Sequence, residues 1–201
     1  VPETAEEFYA RVRAHAGEDG RLPVPEQAAW DVFPFEQESL QVKRLAPLTL
    51  PEPARDGEGG QPCRRCADPD ARVVWRNERW MLSAVPVELA VPFGALLETR
   101  EHLDVADLDE DMAAELGRLV VRVTRAGEAL DGVARVHVNR WGDGGAHLHV
   151  WFLGRPAGML QLRGSCLPVW DDMLPRLPRP TMAASLALAA AALADLGEVV
   201  T

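Results

Sequence analysis

The sequence predicts an α+β domain: a sheet of about five strands with one long helix packed on it, extended at both ends. Three observations carry that reading. Across residues 144–156, His147, His149 and Trp151 alternate with Leu148, Val150 and Phe152, the period of two of a half-buried strand with an apolar back and a chemically capable front. Val73-Val74-Trp75 and Trp80-Met81-Leu82 flank Asn77-Glu78, which suits a hairpin. Leu108, Met112, Leu116, Leu119, Val123 and Leu130 fall at helical spacing over residues 104–130, with acidic residues in the first turns where the helix dipole favours them.

The remaining elements are taken in chain order. Thr4-Ala5-Glu6-Glu7 has capping-box spacing and opens a helix to about His15, which the glycines at 17 and 20 end. Residues 21–34 read as irregular chain in which Trp30 and Phe33 pack. Residues 38–45 form a candidate strand, since Leu40 and Val42 alternate with polar residues. Residues 47–62 hold prolines at 47, 51, 53 and 62 with Gly57, Gly59 and Gly60, the expected mobile loop and the boundary of an N-terminal extension. Residues 93–99 make a third strand and 133–140 a fourth, and the turn Trp141-Gly142-Asp143-Gly144-Gly145 leads into the histidine strand. Residues 161–170 are expected to be extended, 175–180 to be a linker, and 181–196 an alanine-rich helix. The organisation expected is therefore an N-terminal extension over 1–62, a central domain over 63–160 and a C-terminal extension with a helix over 161–201.

Bulk properties bound the function. A chain of 201 residues, 47% hydrophobic and 26% charged, can bury a sizeable core. A net charge of −10 argues against nucleic-acid polymers and anionic membranes as partners, while a few local arginines can still hold a small phosphorylated ligand. No stretch resembles a signal peptide or is long and apolar enough to span a bilayer, so the expected location is cytoplasmic. Three cysteines, two of them as Cys63-Arg64-Arg65-Cys66, do not suggest a disulfide framework.

Cys-x-x-Cys places two thiolates on one turn, close enough to share a metal, and His102 and His147 are the candidates to complete a tetrahedral zinc site. A redox pair and two buried thiols are the alternatives that this spacing leaves open. His149, two residues beyond His147, faces the same way. An imidazole, when neutral, is in general able to attack phosphorus and give a covalent phosphoramidate. Arg140 and Arg163 are further cations, Trp141 and Trp151 can stack on a base or pack, His137 reads as a sheet histidine, Cys166 as a buried thiol, and His15 suggests nothing.

The order of these pieces, with Asn77-Glu78-Arg79-Trp80, Val85-Pro86, Pro92-Phe93 and Glu98-Thr99-Arg100-Glu101-His102 between them, resembles the histidine triad (HIT) superfamily. It is most similar to the zinc-containing branch related to galactose-1-phosphate uridylyltransferase, over roughly residues 63–160. The resemblance implies a HIT-like antiparallel sheet of about five strands and a structural zinc held by Cys63, Cys66, His102 and His147. It also implies a homodimer and a nucleotide or nucleotide-sugar ligand, with His149 as nucleophile. Asn139 and Arg155 are the positions it offers for holding that ligand; beside it, the backbone N–H groups of Gly144 and Gly145 in a glycine-rich turn and a stacking Trp151 are candidates on their own chemistry. The implied activity is a nucleotidyl hydrolase or transferase acting on a nucleoside phosphate ester. The sequence also departs from the pattern. Trp151 stands where the third histidine would be, Asp143 and Gly144 replace the usual phosphate-holding pair, and no acidic residue occupies the ribose position at Ala84-Val85-Pro86. A degenerate HIT-like module that binds a nucleotide or a protein without catalysis is the alternative these departures raise.

Overall fold

The computed structural model of the protein describes residues 5–36, 38, 40–44 and 46–200. The chain divides into two compact units, Val1–Pro53 and Ala54–Thr201.

In the first unit the helix α1 (Ala5–His15) carries Arg13 and His15 in its last turn, where cations complement the dipole. The expected cap, Thr4, lies outside the described residues. The Tyr9 hydroxyl donates to the Ala46 carbonyl at 3.0 Å, and a 3-10 turn, Glu26–Ala29, buries Ala28. Trp30 is exposed rather than packed, and the Phe33 and Phe35 rings meet edge-on at 6.0 Å. The strand expected over 38–45 is corrected. Residues 39 and 45 lie outside the described ones, and the rest contribute only an isolated bridge from Arg44 to Arg21. Two apolar positions with no second strand beside them cannot sustain a ladder.

The second unit runs α2 (Arg64–Ala67), β1 (Val73–Arg76), β2 (Trp80–Ser83), β3 (Phe93–Thr99), α3 (Glu110–Glu128), β4 (Val133–Asn139), β5 (His149–Pro156), α4 (Leu167–Met173), α5 (Arg179–Ala191) and β6 (Glu198–Val199). The expected α+β antiparallel sheet is present, with six strands in the order β4-β5-β3-β2-β1-β6. All neighbours are antiparallel. The extra strand is β6, too short for a period-two pattern to reveal. The β1–β2 hairpin is closed by Asn77, whose Oδ1 accepts from the Arg79 and Trp80 N–H groups at 3.0 and 2.8 Å.

Side chains opposite one another on paired strands share a face. One face holds Trp75, Leu82, Ala95, Leu97, Val150 and Phe152. It is sealed by Leu119 and Val123 of α3 and by Leu186, Ala189 and Ala190 of α5. The other presents Ser83, Glu98, His149, Trp151, His137 and Asn139 in register, and a smaller apolar cluster of Leu89, Leu153, Leu162 and Leu167 covers one part of it.

The C-terminal helix runs Arg179–Ala191 rather than 181–196 and takes in the end of the expected linker, and four further differences from expectation have a local reason. The long helix starts at Glu110 because Asp109 caps it, accepting from the Met112 N–H at 2.7 Å. A separate 3-10 turn, Val105–Asp107, precedes it under Asp104. β5 starts at His149 because the preceding residues are drawn aside, Leu148 N–H donating to the Leu103 carbonyl at 2.7 Å. Residues 161–170 are not extended but form 3-10 turns leading into α4. They are anchored by Asp171, which accepts from the Ala90 and Val91 N–H groups at 2.8 and 2.9 Å. Finally, residues 54–62 form no free loop: Arg55 bonds both Glu58 and Asp104.

Phe93 tests how tightly the sealed face is packed. A Cβ at Gly127 of α3 would lie 2.7 Å from its ring and 2.8 Å from Val136. Ala normally favours a helix over Gly by about 1 kcal/mol. Here the overpacking term dominates, and Gly127→Ala is expected to destabilise the protein by about 1–3 kcal/mol in urea denaturation.

Candidate functional site

The site begins with the turn at α2. Cys63 is the residue capping this four-residue helix, its sulfur facing the Cys66 N–H at 3.5 Å. The turn is held from outside by Asp56, whose carboxylate accepts from the Arg64 N–H at 3.1 Å. Both cysteines therefore point to one side, and neither is in a disulfide. His102 arrives from the turn after β3, and His147 from the segment before β5.

The ligand atoms of Cys63, Cys66, His102 and His147 all lie within 4.8 Å of one another. Cys66 Sγ is 3.4 Å from Nδ1 of His102 and 3.4 Å from Nδ1 of His147, and Cys63 Sγ is 3.7 Å from the latter. A tetrahedron with metal–sulfur bonds of about 2.3 Å and metal–nitrogen bonds of about 2.0–2.1 Å has S···N edges of about 3.5 Å. The donor set and its spacing thus fit zinc. The outer contacts fit as well. His147 donates from Nε2 to the Thr99 carbonyl at 2.8 Å, which turns the unprotonated Nδ1 toward the sulfurs, as the outer partners of metal-bound histidines do.

Charge within the cluster points the same way. Burial foremost, with the neighbouring Cys63, pushes the Cys66 thiol up to about 11, a cost that a cation between the sulfurs relieves. Burial pushes His147 down, outweighing the Thr99 hydrogen bond, so its ring is kept neutral, the form that binds metals. Gly57 is part of this site and was not legible as such. Its φ is +80°, and a Cβ there would lie 2.5 Å from His102 Cε1 and 3.0 Å from Cys63 Cβ.

His149 stands across from Glu98 in the sheet register. Its Nδ1 lies 2.8 Å from the His147 carbonyl and its Nε2 2.9 Å from the Trp141 carbonyl. Of the remaining positions singled out from sequence, Trp151 pairs with Asn139 across the strands and meets Trp141 edge-on at 5.8 Å. Gly144 and Gly145 are engaged with Asp56, through Asp56 N–H to the Gly144 carbonyl at 3.3 Å and a backbone bridge at Gly145. Arg155 is 8% exposed, donates to the Pro156 and Met159 carbonyls, and lies six residues, about 20 Å, along the strand from His149. It stands close enough to His137 that its charge adds to burial in pushing that imidazole down.

Two groups of residues that sequence reasoning missed frame the site. Arg65, between the cysteines, is buried against Glu98 at 3.1 Å and also donates to the Asp68 carbonyl at 2.7 Å and Ser83 Oγ at 3.3 Å. Asp104 bonds both Arg55, at 2.8 Å, and Arg140. Burial pushes its carboxyl up, but the Val105 N–H, Arg55 and Arg140 together outweigh that and hold it below the usual carboxylate range. Neither arrangement has a local sequence signal, because the partners are 33 to 49 residues apart.

No protein-family model matches the sequence, and no curated protein matches it. Among solved structures the chain is similar to a hypothetical histidine triad nucleotide-binding protein from Sulfolobus tokodaii strain7, at 17% identity and a TM-score of 0.49 over 67% of this chain and 93% of that one. It is similar to a zinc-bound histidine triad family protein from Mycobacterium smegmatis, at 20% identity and a TM-score of 0.48 over 67% and 94%. A uridylyltransferase structure matches at 18% identity and a TM-score of 0.45 over 68% of this chain and 46% of that one. Among the described residues no helix is long and apolar enough to cross a membrane.

Removing one partner of the buried Arg65–Glu98 pair leaves a charge uncompensated. Glu98→Gln is expected to cost about 3–5 kcal/mol of stability in urea denaturation, whereas the double replacement Arg65→Leu/Glu98→Leu is expected to recover most of the loss.

Proposed function

We propose that this protein is a zinc-containing nucleotidyl hydrolase or transferase that acts on a nucleoside phosphate ester through His149. The observation that carries the reading is the convergence of Cys63, Cys66, His102 and His147 two residues before an imidazole whose Nδ1 is tied to the His147 carbonyl. Once the Trp141 carbonyl, 2.9 Å from Nε2, is moved aside, that tie holds the ring proton on Nδ1 and leaves the Nε2 lone pair free. The metal would be structural: it fixes the α2 turn and the end of β3 against the start of β5, and so fixes the backbone that orients His149.

His149 Nε2 attacks phosphorus, a P–N bond forms, and the P–O bond to the leaving group breaks with its electron pair passing to that oxygen. Water, phosphate or a sugar phosphate then attacks the same phosphorus, a new P–O bond forms, the P–N bond breaks with its pair returning to Nε2, and the proton of an attacking water passes to solvent. Trp151, at the position that would serve the leaving group, offers only an N–H donor and cannot transfer a proton near neutral pH. The substrates that suit this site are therefore phosphoanhydrides, such as nucleotide sugars, whose phosphate leaves as a stable anion. In this reading Asn139, the Gly144–Gly145 backbone and Trp151 line the ligand. Arg155, distant from His149, serves the far end of the cleft or the sheet alone.

We propose in addition a homodimer, a cytoplasmic setting in which the thiols stay reduced, and an organisation of an N-terminal extension over 1–62, a HIT-like domain over 63–160 that carries the site, and a C-terminal extension over 161–201. The second reading is a non-catalytic nucleotide-binding or protein-interaction module. Trp151 and the Trp141 carbonyl against Nε2 favour it.

Two measurements test these proposals. Metal analysis of the purified protein is expected to give one zinc per chain, with His147→Ala lowering both the stoichiometry and the melting temperature. Structural zinc contributes on the order of 10 kcal/mol to folding, and zinc-free protein of unchanged stability would refute the site. Nucleoside mono-, di- and sugar-diphosphates are expected to be turned over, with His149→Ala lowering the rate at least about 1,000-fold. Binding without turnover, unchanged by that substitution, establishes the module instead.

A further inference from the structure

We propose that the loop over residues 140–145 is a latch held shut over His149 by Asp104, and that it has to open before His149 meets a phosphoryl group. The inference rests on the nucleophilic role given to His149 above and adds its control.

Both ring nitrogens of His149 face backbone carbonyls, His147 O at 2.8 Å and Trp141 O at 2.9 Å. Carbonyls only accept, and a neutral imidazole has a single N–H. With the proton on Nδ1, the Nε2 lone pair and the Trp141 oxygen confront each other with no hydrogen between them. That oxygen also occupies the position, about 3 Å from Nε2, that a reacting phosphorus needs. The contact and the attack exclude each other.

The loop is fastened from outside the reacting centre. Arg140, which begins it, is paired with Asp104. Arg55 bonds the other Asp104 oxygen at 2.8 Å and the Gly142 carbonyl at 3.0 Å, so one carboxylate fixes both the start and the middle of the loop. Asp56 stitches its end, accepting from the Ala146 N–H at 2.9 Å. Asp104 is itself held in place at the turn before α3, through the Val105 N–H at 2.7 Å and Asp107 at 2.8 Å. Within the loop, Gly144 has open space where a side chain would be, and the bonds that hold it besides these pairs are the Asp56 N–H to the Gly144 carbonyl at 3.3 Å and the Trp141 contacts with His149 and Trp151. A phosphoryl oxygen carries the kind of charge Asp104 carries and competes for the same two guanidinium groups. The chemistry of the ligand is thus the chemistry that undoes the latch.

Carbethoxylation of the zinc-loaded full chain by diethyl pyrocarbonate, followed residue by residue by mass spectrometry, tests this without needing turnover. His15, exposed on α1, is the internal reference. His149 is expected to react more slowly than His15 in the unaltered protein, and at least about tenfold faster in Asp104→Asn and in Arg140→Met, the size of effect of one lost charge-assisted hydrogen bond. Arg140→Lys, which keeps the charge, is expected to keep the slow rate, and zinc content reports that the fold is intact. His149 reacting as fast as His15 in the unaltered protein overturns the latch, as does an unchanged rate in both charge-removing variants. If labelling accelerates but no nucleotide is ever turned over, the latch stands and the catalytic reading fails. If turnover depends on His149 while labelling ignores Asp104 and Arg140, the catalytic reading stands and the latch fails.

Discussion

Two sulfurs and two imidazole nitrogens brought within 4.8 Å of one another are the constraint on which the organisation of Ala54–Thr201 depends. The four side chains come from three stretches of chain that share no secondary structure: the α2 turn, the end of β3 and the approach to β5. Each approach is set by a backbone requirement rather than by apolar burial. Gly57 lies flat against His102 and Cys63, Thr99 offers its carbonyl to His147, and the Leu103 carbonyl receives Leu148. A buried imidazole with its Nδ1 turned toward two thiols has little else to satisfy it. The geometry makes physical sense when a cation holds all four, and the surrounding loops then inherit their positions from it.

The two faces of the sheet explain why the chemistry sits where it does. One is dry and filled by α3 and α5. The other carries the polar groups, and its central strands place Glu98 beside His149. That carboxylate is taken by Arg65 in a buried pair. The residue between the two cysteines therefore does two things at once. It ties the α2 turn to β3, and it pairs with the carboxylate that stands across the strands from His149.

How much of this is legible in the sequence depends on the length scale of the signal. The strands at 73–76, 80–83, 93–99 and 133–139 could be read from apolar runs and turn residues, and the histidine strand from its alternation. The meeting of Cys63, Cys66, His102 and His147 was readable only because each is a metal-ligand type at a suggestive place in the order. What pattern could not reach was pairing over distance. β6 has two residues, and Arg65–Glu98 and Arg55–Asp104–Arg140 are joined only by the fold. The strand expected at 38–45 failed for the converse reason: local alternation existed without a partner strand. Residues 161–170 failed because Asp171, whose bonds to Ala90 and Val91 fix that segment, reads as an ordinary surface acid.

Trp151 lies two residues along β5 from His149 and on the same face. Its indole lies edge-on to Trp141, opposite Asn139, and against the smaller apolar cluster. Trp151 therefore packs at this point. The consequence reaches the loop, because Trp141 contributes both the ring that meets Trp151 and the carbonyl that meets His149. A change at Trp151 would therefore move the covering loop, and a change in the loop would move the indole. The aromatic pair and the guanidinium–carboxylate network grip the same six residues from two sides, and both bear on the surroundings of His149 through the Trp141 carbonyl.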